Sequence, residues 1–295
     1  MIFLQQLLNG LVIGGSYALV AAGFTLIFGV LRIVFFATSA TLVVGAYAGY
    51  FVLAGAGNVW LALALGSAAA ALLGVLIEFV AIRPVRDQHP LIALVTTISA
   101  ATIVQEVLRL TVQRGQPISY PSDVLPGLIE FGAGSERLHI TVAQGVVLLL
   151  AIALFIALGL VVDRTWFGRA IRSVAEAREV ASMLGVRVNA ISARTVALAT
   201  GLSGAAGIML SLTLPAIDPY VGDTLQFKAL AIALFGGLGS LEGAVLGGFL
   251  LGTVEALASG YLETSYRDLF AYATMVLILL VRPSGLLGRG AIQRV

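Results

Sequence analysis

The sequence of 295 residues contains no cysteine, only two histidines and few charged residues. The lack of cysteine excludes disulfides, thiolate metal sites and cysteine nucleophiles. His89 and His139 are far apart in the chain, which argues against a histidine-rich metal site. Charged residues make up 11% of the chain, whereas soluble domains contain about 25%. This charge content is too low to cover a soluble fold of the same size with polar surface.

Three catalytic motifs are also missing from the sequence. It has no Gly-x-x-x-x-Gly-Lys-Ser/Thr run, so ATP binding through a P-loop is not expected. It has neither a Gly-x-Ser-x-Gly elbow nor a His-Glu-x-x-His pair. We therefore expect no enzyme activity, no cofactor and no metal in this chain, and the net charge of +2 gives no reason to expect a nucleic-acid partner.

Apolar residues are abundant, at 59% of the chain. A lipid bilayer removes the need for polar cover, and about 20 apolar residues cross it as one helix. The first 31 residues lack the basic start of a signal peptide and form a longer apolar run, so we interpret them as a retained first span. The candidate spans are 4–30, 34–55, 59–80, 91–112, 140–162, 191–213, 227–258 and 267–282.

This pattern predicts an all-α integral membrane protein with about eight transmembrane elements, no β-sheet core and a single transmembrane domain over 1–295. Basic residues are concentrated in 163–194, with six arginines against three acids, and also in 81–90 and after the last span. The segment 113–138 and the region of Asp218 are poor in basic residues. The positive-inside rule places 113–138 outside as an external loop, the N-terminus outside and the C-terminus in the cytoplasm.

The long candidate span is interrupted by the glycine-rich sequence of residues 236–240. Between an external Asp218 and a cytoplasmic C-terminus the chain must cross an odd number of times, which two simple helices do not satisfy. We therefore predict that 226–258 is a broken or re-entrant helix pair that turns at the glycines. Non-helical backbone at membrane depth is tolerated where protein or water covers it, so this break is typical of a transport pathway. Close helix packing is the alternative role for each single glycine.

The cytoplasmic segment 163–190 has a helix-forming middle, and Gly185 is typical of a helix C-cap. Five apolar residues recur there at helical spacing: Val174, Ala177, Val180, Ala181 and Leu184. We predict one short amphipathic helix over 173–185. It either lies on the membrane surface or docks into a groove of a partner, and the residues alone favour neither.

Polar residues within spans are the remaining candidates for function. The ionisable ones are Glu106, Arg109, Lys228, Glu242 and Glu255, and snorkelling is the alternative for those near span ends. No central carboxylate pair stands out, which weakens a proton-coupled mechanism. As candidates for the translocation pathway we name Asn9, Tyr17, Thr97, Gly236, Gly237, Gly239 and Glu242. Hydrogen bonds between helices are the alternative role for the polar ones.

A series of landmarks along nearly the whole chain points to a family. They begin at Leu4-Gln-Gln-Leu-Leu-Asn-Gly and continue through Arg83-Pro-Val-Arg, Trp166-Phe-Gly-Arg-Ala, Asp218-Pro-Tyr-Val-Gly, Gly236-Gly-Leu-Gly-Ser and Pro283-Ser-Gly-Leu-Leu-Gly-Arg. In this order and spacing the chain resembles the permease subunits of branched-chain amino-acid ABC importers, of the LivH type. The resemblance implies a pore of two permease subunits, usually different, in a bacterial-type cytoplasmic membrane. It also implies two cytoplasmic ATPases that bind ATP and Mg²⁺, and an external solute-binding protein.

The resemblance further implies that 163–190 is the loop that couples the permease to the ATPases. The coupling candidates are Arg172, Glu176, Glu179, Leu184 and Gly185. Two departures bear on the solute: residues 34–39 read Val-Phe-Phe-Ala-Thr-Ser where the family tends to Asn-Phe-Ala-His-Gly, and Glu242 replaces a small residue or proline. Relatives also move urea, short amides and other amino acids. A self-sufficient secondary transporter or channel for a small polar solute is the alternative function, and a membrane enzyme is a third.

Overall fold

The computed structural model describes residues 2–86, 88–112, 116–121, 125, 127–131, 138–262, 266–282 and 285–287. The elements are α1 (Ile2–Leu31), α2 (Thr38–Ala56), α3 (Val59–Ile77) with a π-helical turn (Glu78–Ile82), α4 (Pro90–Thr111), β1 (Leu128–Phe131), β2 (Leu138–Thr141), α5 (Val142–Arg164), α6 (Trp166–Glu176), α7 (Arg178–Met183), α8 (Val188–Ser211), α9 (Val221–Gly236), α10 (Leu241–Tyr261) and α11 (Arg267–Val281). The prediction of an all-α membrane protein is confirmed. In the described part, seven helices are long and apolar enough to span a membrane: α1, α2, α3 with its π turn, α4, α5, α8 and α10.

Local signals explain several helix ends. The Asn58 side chain accepts hydrogen bonds from the first backbone N–H groups of α3, and Gly57 ends α2 in the left-handed region. Pro90 opens α4, where its missing N–H costs nothing. Thr141 and Gln144 form a reciprocal capping box at the start of α5.

The predicted external loop 113–138 contains the first strand of a small antiparallel hairpin. Strands β1 and β2 pair in the register Leu128 with Thr141 through Phe131 with Leu138. The Gln5 side chain of α1 bonds to the backbone of His139, donating to its carbonyl at 2.8 Å and accepting from its N–H at 3.1 Å. This hairpin is a surface element at the N-terminal end of α1 and not a sheet core. Residues 113–115, 122–124, 126 and 132–137 of the loop lie outside the described residues.

Helix α1 runs through the centre of the bundle and packs antiparallel to α10 with their backbones in direct contact. A Cβ atom added to Gly252 would lie 2.4 Å from the Cα of Gly14, and one added to Gly14 would lie 2.8 Å from the carbonyl oxygen of Gly248. Lipid supplies no hydrophobic force between helices, so association in a membrane depends on such close packing. These glycines therefore set the distance between the two helices.

Helix α8 is the second central helix and contacts α1, α2 and α3. A Cβ atom on Gly45 would lie 2.4 Å from the Cα of Gly204, and one on Gly74 would lie 2.2 Å from the hydroxyl oxygen of Thr200. The hydroxyl of Thr200 donates within its own helix, to the carbonyl of Val196 at 2.7 Å. Helix α8 can be buried on several sides because its side chains there are small and because their hydroxyls bond to carbonyls of the same helix.

The interruption predicted at the glycines is confirmed. Helix α9 ends at Gly236, Gly237 and Gly239 adopt positive φ angles of 104° and 89°, and Ser240 caps α10 through the N–H of Gly243. A Cβ on Gly236 would lie 2.4 Å from the carbonyl oxygen of Gly243, so α9 and α10 form a tight antiparallel hairpin. The chain therefore returns to the end of the bundle from which α9 started.

The segment after α11 closes over this turn. The backbone N–H of Leu286 donates to the carbonyl of Phe235 at 2.6 Å, and that of Leu287 donates to Gly236 at 3.1 Å. The glycine turn and the end of α11 thus lie at the same end of the bundle, together with the C-terminal end of α1. Arg289 and Arg294, two of the basic residues after the last candidate span, lie outside the described residues.

The prediction of one continuous helix over 173–185 is wrong. Ala177 is extended, with φ −148° and ψ 93°, and separates α6 from α7. The guanidinium of Arg32 donates to the carbonyl of Ala175 at 2.7 Å, which satisfies a group at the end of α6 and permits the chain to turn. The apolar residues no longer share one face, because Val174 is buried while Leu184 is 79% exposed.

We predict opposite effects for two alanine substitutions within helices. Gly252→Ala places a Cβ against the backbone of α1 and destabilises the protein, whereas Gly159→Ala on α5 meets no atom within 4 Å. The second variant gains about 0.5 to 1 kcal/mol of helix propensity. Thermal unfolding of the two variants in mild detergent measures the difference. A Gly252→Ala protein as stable as Gly159→Ala would contradict the backbone contact.

Candidate functional site

The pathway candidates named from the sequence do not meet in one place. Asn9 accepts a hydrogen bond from the Gln144 side chain at 3.2 Å and thereby joins α1 to α5. Thr97 is buried, and its hydroxyl accepts from the backbone N–H of Phe36 at 3.3 Å and donates to Leu94 at 2.9 Å. Asn9 thus links two helices, and Thr97 links α4 to the non-helical segment before α2, which are contacts of the kind named above as the alternative role.

The other named residues lie elsewhere in the bundle. Gly236, Gly237 and Gly239 form the turn between α9 and α10, and Glu242 is exposed in the first turn of α10. Tyr17 is buried in the middle of α1. The structure therefore separates a glycine turn at one end from polar contacts deeper in the bundle.

Tyr17 lies against four charged residues, and together the five form what we call the charge cluster: Tyr17, Lys228, Glu255, Arg267 and Asp268. The Asp268 side chain is 55% exposed, at the edge of the cluster. The ammonium of Lys228 contacts the carboxylate of Glu255 and lies 2.8 Å from that of Asp268. Arg267 lies 3.2 Å from Glu255 and donates to the Tyr17 hydroxyl at 3.2 Å. The Lys228 and Glu255 side chains are only 4% and 0% exposed.

The charge cluster connects four helices and carries no net charge. Lys228 comes from α9, Glu255 from α10 and the other two residues from α11, while the Tyr17 ring of α1 lies 5.4 Å from the Lys228 ammonium. Charged groups within a membrane are costly unless they pair with one another. Lys228 and Glu255 were named from the sequence as ionisable span residues. Their pairing was not predictable, because residues 27 positions apart on different helices leave no periodic pattern in the sequence.

The segment that connects α5 to α8 is fixed to the bundle by arginine side chains. Arg172 donates to the carbonyl of Val162 at 2.6 Å, at the end of α5. Arg86 pairs with the buried Glu78 and donates to the side chain of Asn189 at 2.8 Å, just inside α8. Arg172, a coupling candidate, therefore holds the segment between α5 and α8 against the end of α5.

Helix α7 presents side chains away from the bundle. Met183 and Leu184 are 84% and 79% exposed, and Glu176 and Glu179 are exposed beside them. Gly185 follows with φ +84°, donating to Ser182 at 3.0 Å while Val186 donates to Ala181 at 3.0 Å, which is a Schellman ending. A groove of about 500 Å³ adjoins α7 and is lined by Arg178, Glu179, Ser182, Val186, Arg187, Val188 and Asn189.

At the opposite end of the bundle, polar side chains bridge α4 to the start of α9. Gln105 donates to Asp223 at 2.7 Å. Glu106 accepts from the Tyr220 hydroxyl at 2.5 Å and from Arg109 at 2.7 Å. The hydrogen bond to Glu106 raises the pKa of the Tyr220 phenol above its ordinary value.

Within the described residues, no group of three or more histidine, aspartate and glutamate side chains is placed to hold a metal ion. The structure instead places the exposed α7 at one end of the bundle, a polar bridge between α4 and α9 at the other, and the charge cluster between helices.

Comparison with known proteins identifies relatives over the whole chain. Residues 6–279 match the family described as branched-chain amino acid transport system, permease component. The permease protein LivH of the high-affinity branched-chain amino acid transport system of Salmonella typhimurium is 34% identical, with 99% of this chain and 98% of that protein covered. The corresponding permease protein BraD of Pseudomonas aeruginosa is 33% identical over the same shares.

More distant proteins share the length or the fold. A probable branched-chain amino acid transport permease protein LivH of Methanocaldococcus jannaschii is 26% identical over 96% of this chain and 92% of its own. The solved structure of PsaBC from Streptococcus pneumoniae in complex with Fab has a TM-score of 0.50 at 14% identity, covering 96% of this chain and 92% of that one. This second likeness concerns the fold alone.

We predict that single substitutions in the charge cluster are worse than a paired one. Lys228→Met leaves Glu255 buried with one partner fewer and should cost about 3 kcal/mol, while Lys228→Met with Glu255→Leu leaves Arg267 and Asp268 to pair and should be closer to wild type. Thermal unfolding in detergent checks the order. The control is Asp163→Asn, which removes an exposed ion pair at 3.5 Å and should change little. A double variant less stable than both single ones would contradict the cluster's role.

Proposed function

The chain belongs to the family of permease components of branched-chain amino acid transport systems, and we propose that it carries branched-chain or related amino acids in an importer driven by separate ATPases. It is a multi-pass membrane protein and the pore-forming subunit, not an enzyme. The observation that carries the proposal is 34% identity to LivH over 99% of the chain. A self-sufficient secondary transporter or channel is not favoured by this relationship.

The proposed complex contains two cytoplasmic ATPase subunits, a second permease subunit, usually a different one, and an external solute-binding protein that delivers the amino acid. ATP and Mg²⁺ are bound by the ATPases and not by this chain, whose sequence has no P-loop. The whole chain, 1–295, acts as one permease domain in a bacterial-type cytoplasmic membrane. The absence of a P-loop and the exposed α7 support this division of labour.

The proposed orientation places the N-terminus outside and the C-terminus in the cytoplasm. Support comes from the bundle end that holds the arginine-rich segment 163–190, the glycine turn and the end of α11. The hairpin of 226–258 then enters from outside and returns there, and 113–138 lies outside. This topology places α7 on the side where ATP is available.

We propose that α7 is the point of contact with an ATPase subunit. Its protruding Met183 and Leu184 supply apolar side chains for a partner's groove, and Glu176 and Glu179 supply charge at the rim. Because α6 is clamped to α5 through Arg172 and to α1 through Arg32, a force on α7 reaches two spanning helices. ATP binding would then alternate the pore between outward-open and inward-open states.

Affinity purification of the tagged chain from mild detergent tests the assembly, with mass spectrometry of the co-purifying proteins. We expect two ATPase subunits and a second permease. Reconstitution of that complex with its binding protein should give leucine uptake that requires ATP. Transport by the isolated chain without ATP would overturn the proposal in favour of a secondary transporter.

A substitution at Gly185 should uncouple ATP hydrolysis from uptake. Gly185→Val forces a β-branched residue into the left-handed region and displaces the end of α7, whereas Gly185→Asn tolerates it. We expect Gly185→Val complexes to lose most uptake while hydrolysis becomes independent of the loaded binding protein. Gly185→Asn serves as the matched control and should transport at a rate near that of wild type. Equal uptake and equal ATPase activity in both variants would contradict the role of Gly185 in coupling.

A further inference from the structure

A row of polar residues follows one outward face of α4. Its members share helical spacing and remain partly or fully exposed: Ser99, Thr102, Glu106 and Arg109. The neighbouring exposed face of the same helix is apolar, with Ile103 and Val107 64% and 53% exposed. One side of α4 therefore suits lipid and the adjacent side does not.

Helix α9 stands beside this row and carries its own exposed residues, Tyr220, Thr224 and Phe227. The floor between α4 and α9 is the non-helical segment 33–37 that leads into α2. Phe36 contacts both helices: its N–H donates to Thr97 of α4 at 3.3 Å, and its ring centroid lies 5.8 Å from that of Phe227 of α9.

One physical constraint indicates that water lies against this surface. An ion pair within a span faces the bundle interior or a water-filled cavity, because lipid does not solvate it. Glu106 lies about 8 Å inside the end of α4 at 1.5 Å per residue. Its side chain and that of Arg109 are nevertheless 40% and 43% exposed.

We propose that the surface between α4 and α9 is a wall of the substrate path, and that Glu106, Arg109 and Tyr220 form an outer site for the zwitterionic head of an amino acid. This inference rests on the proposed function and names the site for its substrate class. The ammonium group of the amino acid pairs with the Glu106 carboxylate. Its carboxylate group accepts from the Arg109 guanidinium and the Tyr220 hydroxyl.

The geometry of the ion pair suits such an exchange of partners. Arg109 uses its Nε atom toward Glu106 at 2.7 Å, which leaves its two terminal nitrogens outside that hydrogen bond. Those nitrogens present the fork that binds a carboxylate with two hydrogen bonds. Without substrate, the two charges compensate each other, so neither is left unpaired.

The lower part of the surface changes from polar to apolar. Below Glu106 lie Thr102 and Ser99 on one wall, and the rings of Phe227 and Phe36 are in contact across the floor. An aliphatic side chain gains contact area against the Phe227 ring, which is 49% exposed, after the charged head has been captured. The order of the two regions fits an amino acid that carries a branched apolar side chain.

Cysteine labelling tests where water lies. Because the chain has no native cysteine, each single substitution introduces the only thiol in this chain that can react. Ser99→Cys and Thr102→Cys face the proposed path, and Ile103→Cys and Val107→Cys are matched controls on the same helix. In the assembled transporter in membranes, we expect a membrane-impermeant thiol reagent applied from outside to modify the first two and spare the controls. Leucine-loaded binding protein with ATP should slow the modification. Equal labelling of all four variants would contradict the proposal that this surface lines the substrate path. So would a lack of labelling at Ser99→Cys and Thr102→Cys both with and without ATP.

Charge substitutions test the outer site in the complete transporter reconstituted in liposomes. Glu106→Gln and Arg109→Gln should each lower ATP-driven leucine uptake about tenfold, since each removes a charge-assisted contact to substrate. The exchange Glu106→Arg with Arg109→Glu keeps an internal pair but reverses its order, so uptake should stay low. Val107→Thr, on the lipid side, is the matched control and should keep both leucine uptake and basal ATP hydrolysis at the wild-type level.

The outcomes separate the site from the function on which it rests. If the wild-type complex imports leucine and the exchanged pair restores full uptake, the ion pair only stabilises the structure. The inferred substrate site is then wrong, while the proposed function stands. If the wild-type complex imports no amino acid at all, the proposed function fails and the site fails with it.

Discussion

The contact between α1 and α10 is the constraint on which the rest of the bundle depends. Gly14, Gly248 and Gly252 bring the two backbones within van der Waals distance, which lipid alone cannot enforce and only small residues permit. Helix α1 also meets α5, α8 and α9, so its position is transmitted to most of the molecule. A change of even one methyl group at this contact displaces both helices.

The charge cluster follows from this arrangement. Helices α9 and α11 contain 16 and 15 residues, which is shorter than a membrane of about 30 Å requires at 1.5 Å per residue. Lys228 and Glu255 meet because α10 is already fixed against α1, and Arg267 and Asp268 then attach α11 to the same centre. Two positive and two negative charges thus compensate one another, around the fully buried carboxylate of Glu255.

The two ends of the bundle are built differently, as an importer requires. At one end, arginines clamp α6 to α1 and α5 and leave α7 protruding. At the other, a few side-chain hydrogen bonds join α4 to the start of α9 around a partly exposed ion pair. The firmly held end suits force transmission, and the loosely bridged end suits a surface that opens to substrate.

The sequence by itself determined the membrane class, the glycine interruption and the lack of catalytic motifs. These properties depend on composition and on short-range pattern, which bilayer thickness and backbone hydrogen bonding translate directly into helices. The helix end at Gly185 was also predictable, since few residues other than glycine adopt its φ angle.

Only the tertiary structure decided the break at Ala177 and the roles of the polar residues. The break depends on Arg32, which lies 143 positions from the carbonyl it satisfies. Asn9 bonds to Gln144 of α5, Thr97 bonds to Phe36 before α2, and Lys228 pairs with Glu255, 27 positions away. Such pairings depend on which helices become neighbours. In a bilayer that choice follows from the shape of small-residue contacts, which a single sequence does not display.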